Sequence, residues 1–236
     1  MDGIEVIDVH KEYVVDNKKL QVLKGVSLNI PKNKITVILG QSGCGKTTLL
    51  RIIGGLENHN SGEIRNCSEK TAFVFQEPRL MPWLDVKNNI TFGINKKEVD
   101  INNFHKILNT VGLKGFEKAY PNQLSGGMQQ RVALGRALMF NPSFILMDEP
   151  FAALDFFTRG QMQKELLRVH QQNDCGILFV THSIDEAMVL GHNIIILEQG
   201  VVKQSYEINT NNNERNLLDQ KFIEIKKDII KKLNIL

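Results

Sequence analysis

Residues 35–39, Ile-Thr-Val-Ile-Leu, form a short apolar run that stops at Gly40, and Gly40-Gln41-Ser42-Gly43-Cys44-Gly45-Lys46-Thr47 follows at once. A run of this kind reads as a strand buried on both faces and feeding a tight turn. A helix is expected to follow, from about Lys46 to Leu56. The pattern G-x-x-x-x-G-K-[ST] between a buried strand and a helix is a phosphate-cradling loop. Its glycines let the backbone curl so that successive N–H groups point inward, and the helix adds the positive end of its dipole. Lys46 supplies a mobile charge for phosphate oxygens, and Thr47 a hydroxyl ligand for Mg²⁺.

Two further runs, Phe144-Ile145-Leu146-Met147 and Ile177-Leu178-Phe179-Val180, read as buried strands. Between them residues 156–172 carry Met162, Leu166 and Val169 at helical spacing. Strand, helix and strand with apolar strands predict an α/β fold with a mostly parallel sheet covered on both faces. Residues 4–9 and 22–30 alternate as half-buried strands do. From Gln76 to Ser125 the pattern changes: Ile101, Phe104, Ile107, Leu108 and Val111 recur at helical spacing, which predicts an inserted helical subdomain. Residues 209–213 are an Asn-rich linker. Beyond them Leu218, Phe222, Ile225, Ile229 and Leu233 line one face of a helix, with Lys221, Lys226, Lys227, Lys231 and Lys232 around the rest as a solvated face.

Asp148 and Glu149 stand at the C-terminal end of the 144–147 strand, where ligands gather in such sheets. Asp148 is placed to hold Mg²⁺ through its water shell, and Glu149 to act as general base on an attacking water. The charge balance of +3 over 236 residues gives no electrostatic case for nucleic acid. The three cysteines, Cys44, Cys67 and Cys175, lack metal-ligand spacing, and the odd count favours a reducing compartment. The N-terminal residues do not resemble a signal peptide, and no apolar run approaches the ~20 residues needed to cross a bilayer.

Leu124-Ser125-Gly126-Gly127-Met128-Gln129-Gln130-Arg131 places a second anion-suited helix start in the same chain. Here the sequence resembles the ATP-binding-cassette (ABC) family, whose signature is Leu-Ser-Gly-Gly before a Gln-rich helix start; Met128 stands where Gln is usual. The resemblance runs from about residue 4 to 205. It implies ATP and Mg²⁺ as cofactors, with the nucleotide held by residues 40–47 and Thr48. It also implies a head-to-tail homodimer in which Ser125, Gly126 and Gly127 cap the γ-phosphate bound by the other copy.

By the same resemblance, Gln76 senses Mg²⁺ and the attacking water, and His182 orients Glu149's water at the γ-phosphate. Asp155, ending Ala152-Ala153-Leu154-Asp155, belongs to a loop crossing the dimer interface, and Tyr13 takes the place of an aromatic residue that stacks on adenine. The implied fold is a P-loop NTPase core with a mostly parallel sheet, an N-terminal antiparallel β subdomain and an inserted α-helical subdomain. Residues 1–208 would be the ATPase domain, with the insertion at about 77–140, and residues 209–236 a linker and amphipathic helix.

Leu80-Met81-Pro82-Trp83-Leu84 and the following Val86-Lys87-Asn88-Asn89-Ile90 look like the importer branch for nitrate, sulfonates and taurine. That branch implies integral-membrane permease subunits as partners, a solute-binding protein acting indirectly, and a place on the cytoplasmic face of the membrane. Importers of pyrimidine or thiamine precursors, exporters, and soluble non-transport cassettes are the alternatives.

Overall fold

The run 35–39 is a strand with all five side chains buried, each apolar one contributing about 1.5–3 kcal/mol by leaving water. The computed structural model describes residues 3–65, 70–173, 175–208 and 215–233. Cys67 and the Asn-rich linker at 209–213 lie outside those residues. The chain divides into two compact units, residues 1–69 with 176–236, and residues 70–175.

The first unit opens with β1 (Gly3–Val15) and β2 (Lys18–Pro31), followed by β3 (Ile35–Leu39), α1 (Lys46–Ile53) and β4 (Ser61–Arg65). β1 and β2 pair antiparallel around a two-residue turn, Asp16-Asn17, and β4 adds antiparallel to β1. Both turn residues have positive φ, 49° and 59°, the geometry that matches the right-handed twist of a hairpin. A bulge at Asp8, φ 48°, resets the alternation. Ile4 and Val6 are buried, and the next buried position is therefore Val9 rather than Asp8. The helix after the phosphate loop ends at Ile53, short of the expected Leu56, because Gly54 and Gly55 follow, the latter with φ 69°.

The second unit holds β5 (Thr71–Val74), α2 (Val86–Ile90), α3 (Ile101–Thr110), α4 (Gly126–Met139), β6 (Phe144–Asp148) and α5 (Phe156–Gln172). β5 and β6 pair in parallel. In α3, Phe104, Ile107 and Leu108 are buried, with Val111 just beyond; in α5, Met162, Leu166 and Val169 are buried. α4 is buried or half-buried nearly all round, and α2 and α3 pack on it.

The chain then returns to the first unit with β7 (Gly176–Thr181), α6 (Ile184–Leu190), β8 (Asn193–Glu198), β9 (Val201–Glu207) and α7 (Gln220–Lys232). β3 lies between β7 and β8, parallel to both, and β9 closes that edge antiparallel to β8. An α/β fold with an antiparallel N-terminal sheet and a mostly parallel second sheet is thus present, as expected. α7 buries Phe222 and Ile229, with Leu233 just past its end. Leu218 departs from the expected apolar face: it is 82% exposed, in a turn before the helix begins. Among the described residues no helix is long and apolar enough to cross a membrane.

Candidate active site

In the first unit, Gly40 ends β3 with no room for a side chain. A Cβ there would stand 2.3 Å from the carbonyl oxygen of Leu197 and 2.7 Å from Cys44 Sγ. Gly43 and Gly45 take φ of 79° and 105°, backbone that residues with a Cβ rarely adopt. The loop so bent leads into α1, whose first N–H groups have no partner within the helix and favour an anion. Lys46 is 4% exposed and its Nζ donates to the carbonyls of Gly40 and Gln41, each at 2.9 Å. The ammonium thus holds the outer turn of the loop in shape. Thr47 and Thr48 are half-buried in the first turn of α1.

β3 and β7 run in register, Leu39 beside Thr181, so Gly40 and His182 leave neighbouring strand ends. His182 is exposed and its turn is fixed from below. Thr181 Oγ1 donates to the buried carboxylate of Glu186 at 2.5 Å and accepts from the N–H of Ser183 at 3.0 Å, while Ser183 caps α6.

Tyr13 lies within β1, which runs on past the expected 4–9 strand. Its hydroxyl donates to Glu57, its side chain also bonds Thr48 of α1, and Lys11 Nζ sits 4.9 Å from the ring centroid. Burial, and then the Glu57 bond, push the phenol above its usual pKa, so the ring stays neutral and anchored to α1.

In the second unit, Val74 pairs with Met147, so Gln76 and Glu149 both emerge two residues past the last pair. Asp148 and Glu149 are half-buried and Gln76 is exposed. Glu149 has φ 43°, a strained conformation for a residue with a side chain and one met often at functional sites.

Ser125 N-caps α4, its Oγ accepting from the N–H of Met128 at 3.3 Å. Gly126 has open space where a Cβ would be, whereas Gly127 would place one 2.5 Å from Thr158 Cγ2. The start of α4 therefore lies tight against the start of α5. There Asp155 is the N-cap, accepting from the N–H groups of Phe157 and Thr158 at 3.0 and 3.1 Å. The Thr158 side chain and then these N–H groups hold the Asp155 carboxyl below the usual range. Phe156 and Phe157, each 81% exposed, project directly after it.

Sequence reasoning missed the residues that hold the loop after Gln76. Arg136 of α4 donates to the carbonyls of Pro78 and Arg79 at 2.9 and 3.0 Å, and Gln130 to that of Phe75 at 3.2 Å. Asn89, wholly buried in α2, accepts from the N–H of Met81 at 2.8 Å and donates to the carbonyls of Met81, Leu84 and Asp85. The available signal was spacing: Asn89 shares a helical face with the buried Val86 and Ile90. Trp83, at the tip of the loop so held, is 70% exposed. Asn89→Ala is expected to cost about 2–3 kcal/mol, because it leaves several buried backbone groups unpaired. In calorimetry Tm should fall by roughly 5–10 °C; an unchanged Tm would show that the loop needs no such anchor.

Comparison with known proteins agrees with this geometry. The ABC transporter family model matches residues 23–152. An uncharacterized ABC transporter ATP-binding protein of Methanocaldococcus jannaschii, MJ0412, is 40% identical over 99% of this chain and 91% of its own length. An aliphatic sulfonates import ATP-binding protein, SsuB of Bacillus thuringiensis subsp. konkukian, is 39% identical over 96% of this chain and 94% of its own. Among solved structures, the ATP-binding cassette MJ0796, a dimer in a post-hydrolysis state bound to ADP and Pi, superposes with a TM-score of 0.76. It is 32% identical, covering 88% of this chain and 99% of that one. With its phosphate loop, its paired carboxylates and these relatives together, this chain belongs to the ABC transporter family as one of its ATPase cassettes.

Proposed function

We propose that this cassette hydrolyses ATP to drive import of an aliphatic sulfonate through separate membrane subunits, on the cytoplasmic face of the membrane. The observation that carries the transport reading is the loop at 76–85. It is fixed from beneath by Asn89 and Arg136 and ends in a Trp83 that is 70% exposed. A rigid apolar tip of this sort suits a partner better than water, and a permease subunit is the partner that fits. Likeness to sulfonate import ATP-binding proteins over nearly the whole chain supports the substrate class. An external solute-binding protein would deliver the solute.

Residues 40–48 cradle the phosphates of ATP, Lys46 turning its charge to them, and the Tyr13 ring stacks on the adenine. Thr47, Gln76 and Asp148 offer only oxygen donors, the set a hard cation such as Mg²⁺ accepts alongside phosphate oxygens. When bound, the ion offsets phosphate charge. Glu149 takes the proton of the attacking water and His182 orients that water. Ser125, Gly126, Gly127 and Asp155 serve a second copy of the chain in a head-to-tail dimer. Support comes from the dimeric relative and from Phe156 and Phe157, which project beside Asp155 as a patch suited to a dimer face.

A strain lacking this protein is expected not to grow on an alkanesulfonate as sole sulfur source, and to recover with wild type but not with Glu149→Gln. Normal growth on alkanesulfonates, with failure on nitrate, taurine or a pyrimidine precursor instead, would reassign the substrate.

A further inference from the structure

We infer that the C-terminal helix α7 is a strap that positions the phosphate loop, acting through Gln41. The inference rests on the ATPase reading above, since it concerns how tightly that loop holds a nucleotide. The last carbonyls of any helix lack partners within it. At the end of α7 two of them find donors in the rest of the first unit. Gln41 Nε2 donates to the carbonyl of Leu233 at 3.0 Å, and Lys203 Nζ of β9 donates to that of Lys232 at 2.5 Å. A cation at a helix C-terminus is also favoured by the helix dipole.

The backbone carbonyl of the same Gln41 accepts the Lys46 ammonium. One residue therefore joins α7 to the lysine of the phosphate loop. The other side of the loop is fixed as well: the N–H of Gly200 donates to the carbonyl of Cys44 at 3.1 Å. A cleft of about 160 Å³ lies between residues 41–44, residues 197–199 and Leu233, so without the strap the outer turn has space to move into.

α7 is held along its length. Phe222, Ile229 and Leu233 are buried, and Tyr206 of β9 donates its hydroxyl to Asp228 at 2.6 Å. Lys226 pairs with Asp185 at 2.6 Å. Asp185 lies in the first turn of α6, which begins just after His182. Arg215, before α7, donates to the carbonyls of Met188 and Val189 at the other end of α6. The C-terminal segment thus grips both the phosphate loop and the helix behind His182. The Lys226 pair is exposed and contributes little by itself; the apolar seat and the two end carbonyls carry the attachment.

A loop set in its binding shape before the ligand arrives spends less free energy on ordering. Releasing α7 is therefore expected to weaken nucleotide binding. The test is titration of the full chain with fluorescent mant-ADP, 15 °C below each variant's Tm. Ile229→Asp, which puts a charge into the seat of α7, should raise Kd about fivefold, the worth of one neutral hydrogen bond. If that variant does not fold, Lys203→Met with Tyr206→Phe loosens the helix from the surface and should raise Kd about threefold.

Gln41→Leu cuts the tether directly. Combined with Ile229→Asp it should cost no more than either change alone, because both break one link. A lower Tm with unchanged Kd, or additive losses in the combined variant, would show that α7 is packing only. A tighter Kd would mean that the strap holds the loop back. Wild-type protein that binds no mant-ADP would sink the ATPase reading rather than the strap.

Discussion

Glu149→Gln is expected to lower steady-state ATP turnover by roughly 10²–10⁴-fold, the usual worth of a positioned general base, while ATP binding stays within a few-fold. The amide keeps the size and shape of the carboxylate but cannot take a proton. The backbone should tolerate the exchange, since its φ of 43° is no harder for Gln than for Glu and the carbonyl still accepts from the N–H of Ala152. With hydrolysis stopped, ATP should remain bound, and sedimentation at saturating ATP should show a dimer. Turnover within threefold of wild type would remove Glu149 from the chemistry. Dead enzyme that stays monomeric would leave the base in place and count against the dimer.

The buried strands were legible because apolar side chains leave water whatever surrounds them. Runs 35–39, 144–147 and 177–180 became β3, β6 and β7 with boundaries shifted by a residue at most. The phosphate loop was legible for a second reason: its shape is made by glycines, and Gly40, Gly43 and Gly45 admit little else. β4 escaped notice because Ser61–Arg65 has one half-buried residue and four exposed ones, held by pairing with β1 rather than by apolar periodicity. β9 is similar, with most of its residues exposed.

The polar anchors were hidden for another reason. Asn89, Arg136 and Gln130 act on backbone carbonyls and N–H groups, and the sequence does not say which carbonyls will come within reach. Asp155 shows the limit of carrying roles over by resemblance. In this chain its carboxylate is the N-cap of α5, a task that propensity alone favours for Asp before a helix. Any role toward a second copy must be compatible with that one.

Lys46→Ala should be as damaging as loss of the base, but at the binding step. Lys46 is buried, with its ammonium shared between the carbonyls of Gly40 and Gln41. A hydrogen bond to a charged group is worth about 1.5–3 kcal/mol, so removing the cation from the phosphates should weaken ATP binding by roughly 10²-fold. Those loop carbonyls lose the ammonium too, though that of Gln41 keeps the N–H of Cys44 at 3.3 Å, and the outer turn loses one support while α7 and Gly200 still hold it. Folding should therefore survive, with Tm within a few degrees of wild type. Lys46→Arg is expected to recover little, because a planar guanidinium on a longer stem cannot occupy the pocket between those carbonyls. Equilibrium titration with mant-ATP separates the outcomes. A Kd within twofold of wild type in Lys46→Ala would mean that the N–H groups of the loop and the dipole of α1 bind the phosphates unaided. A large loss with normal Tm would place the binding energy on the ammonium itself.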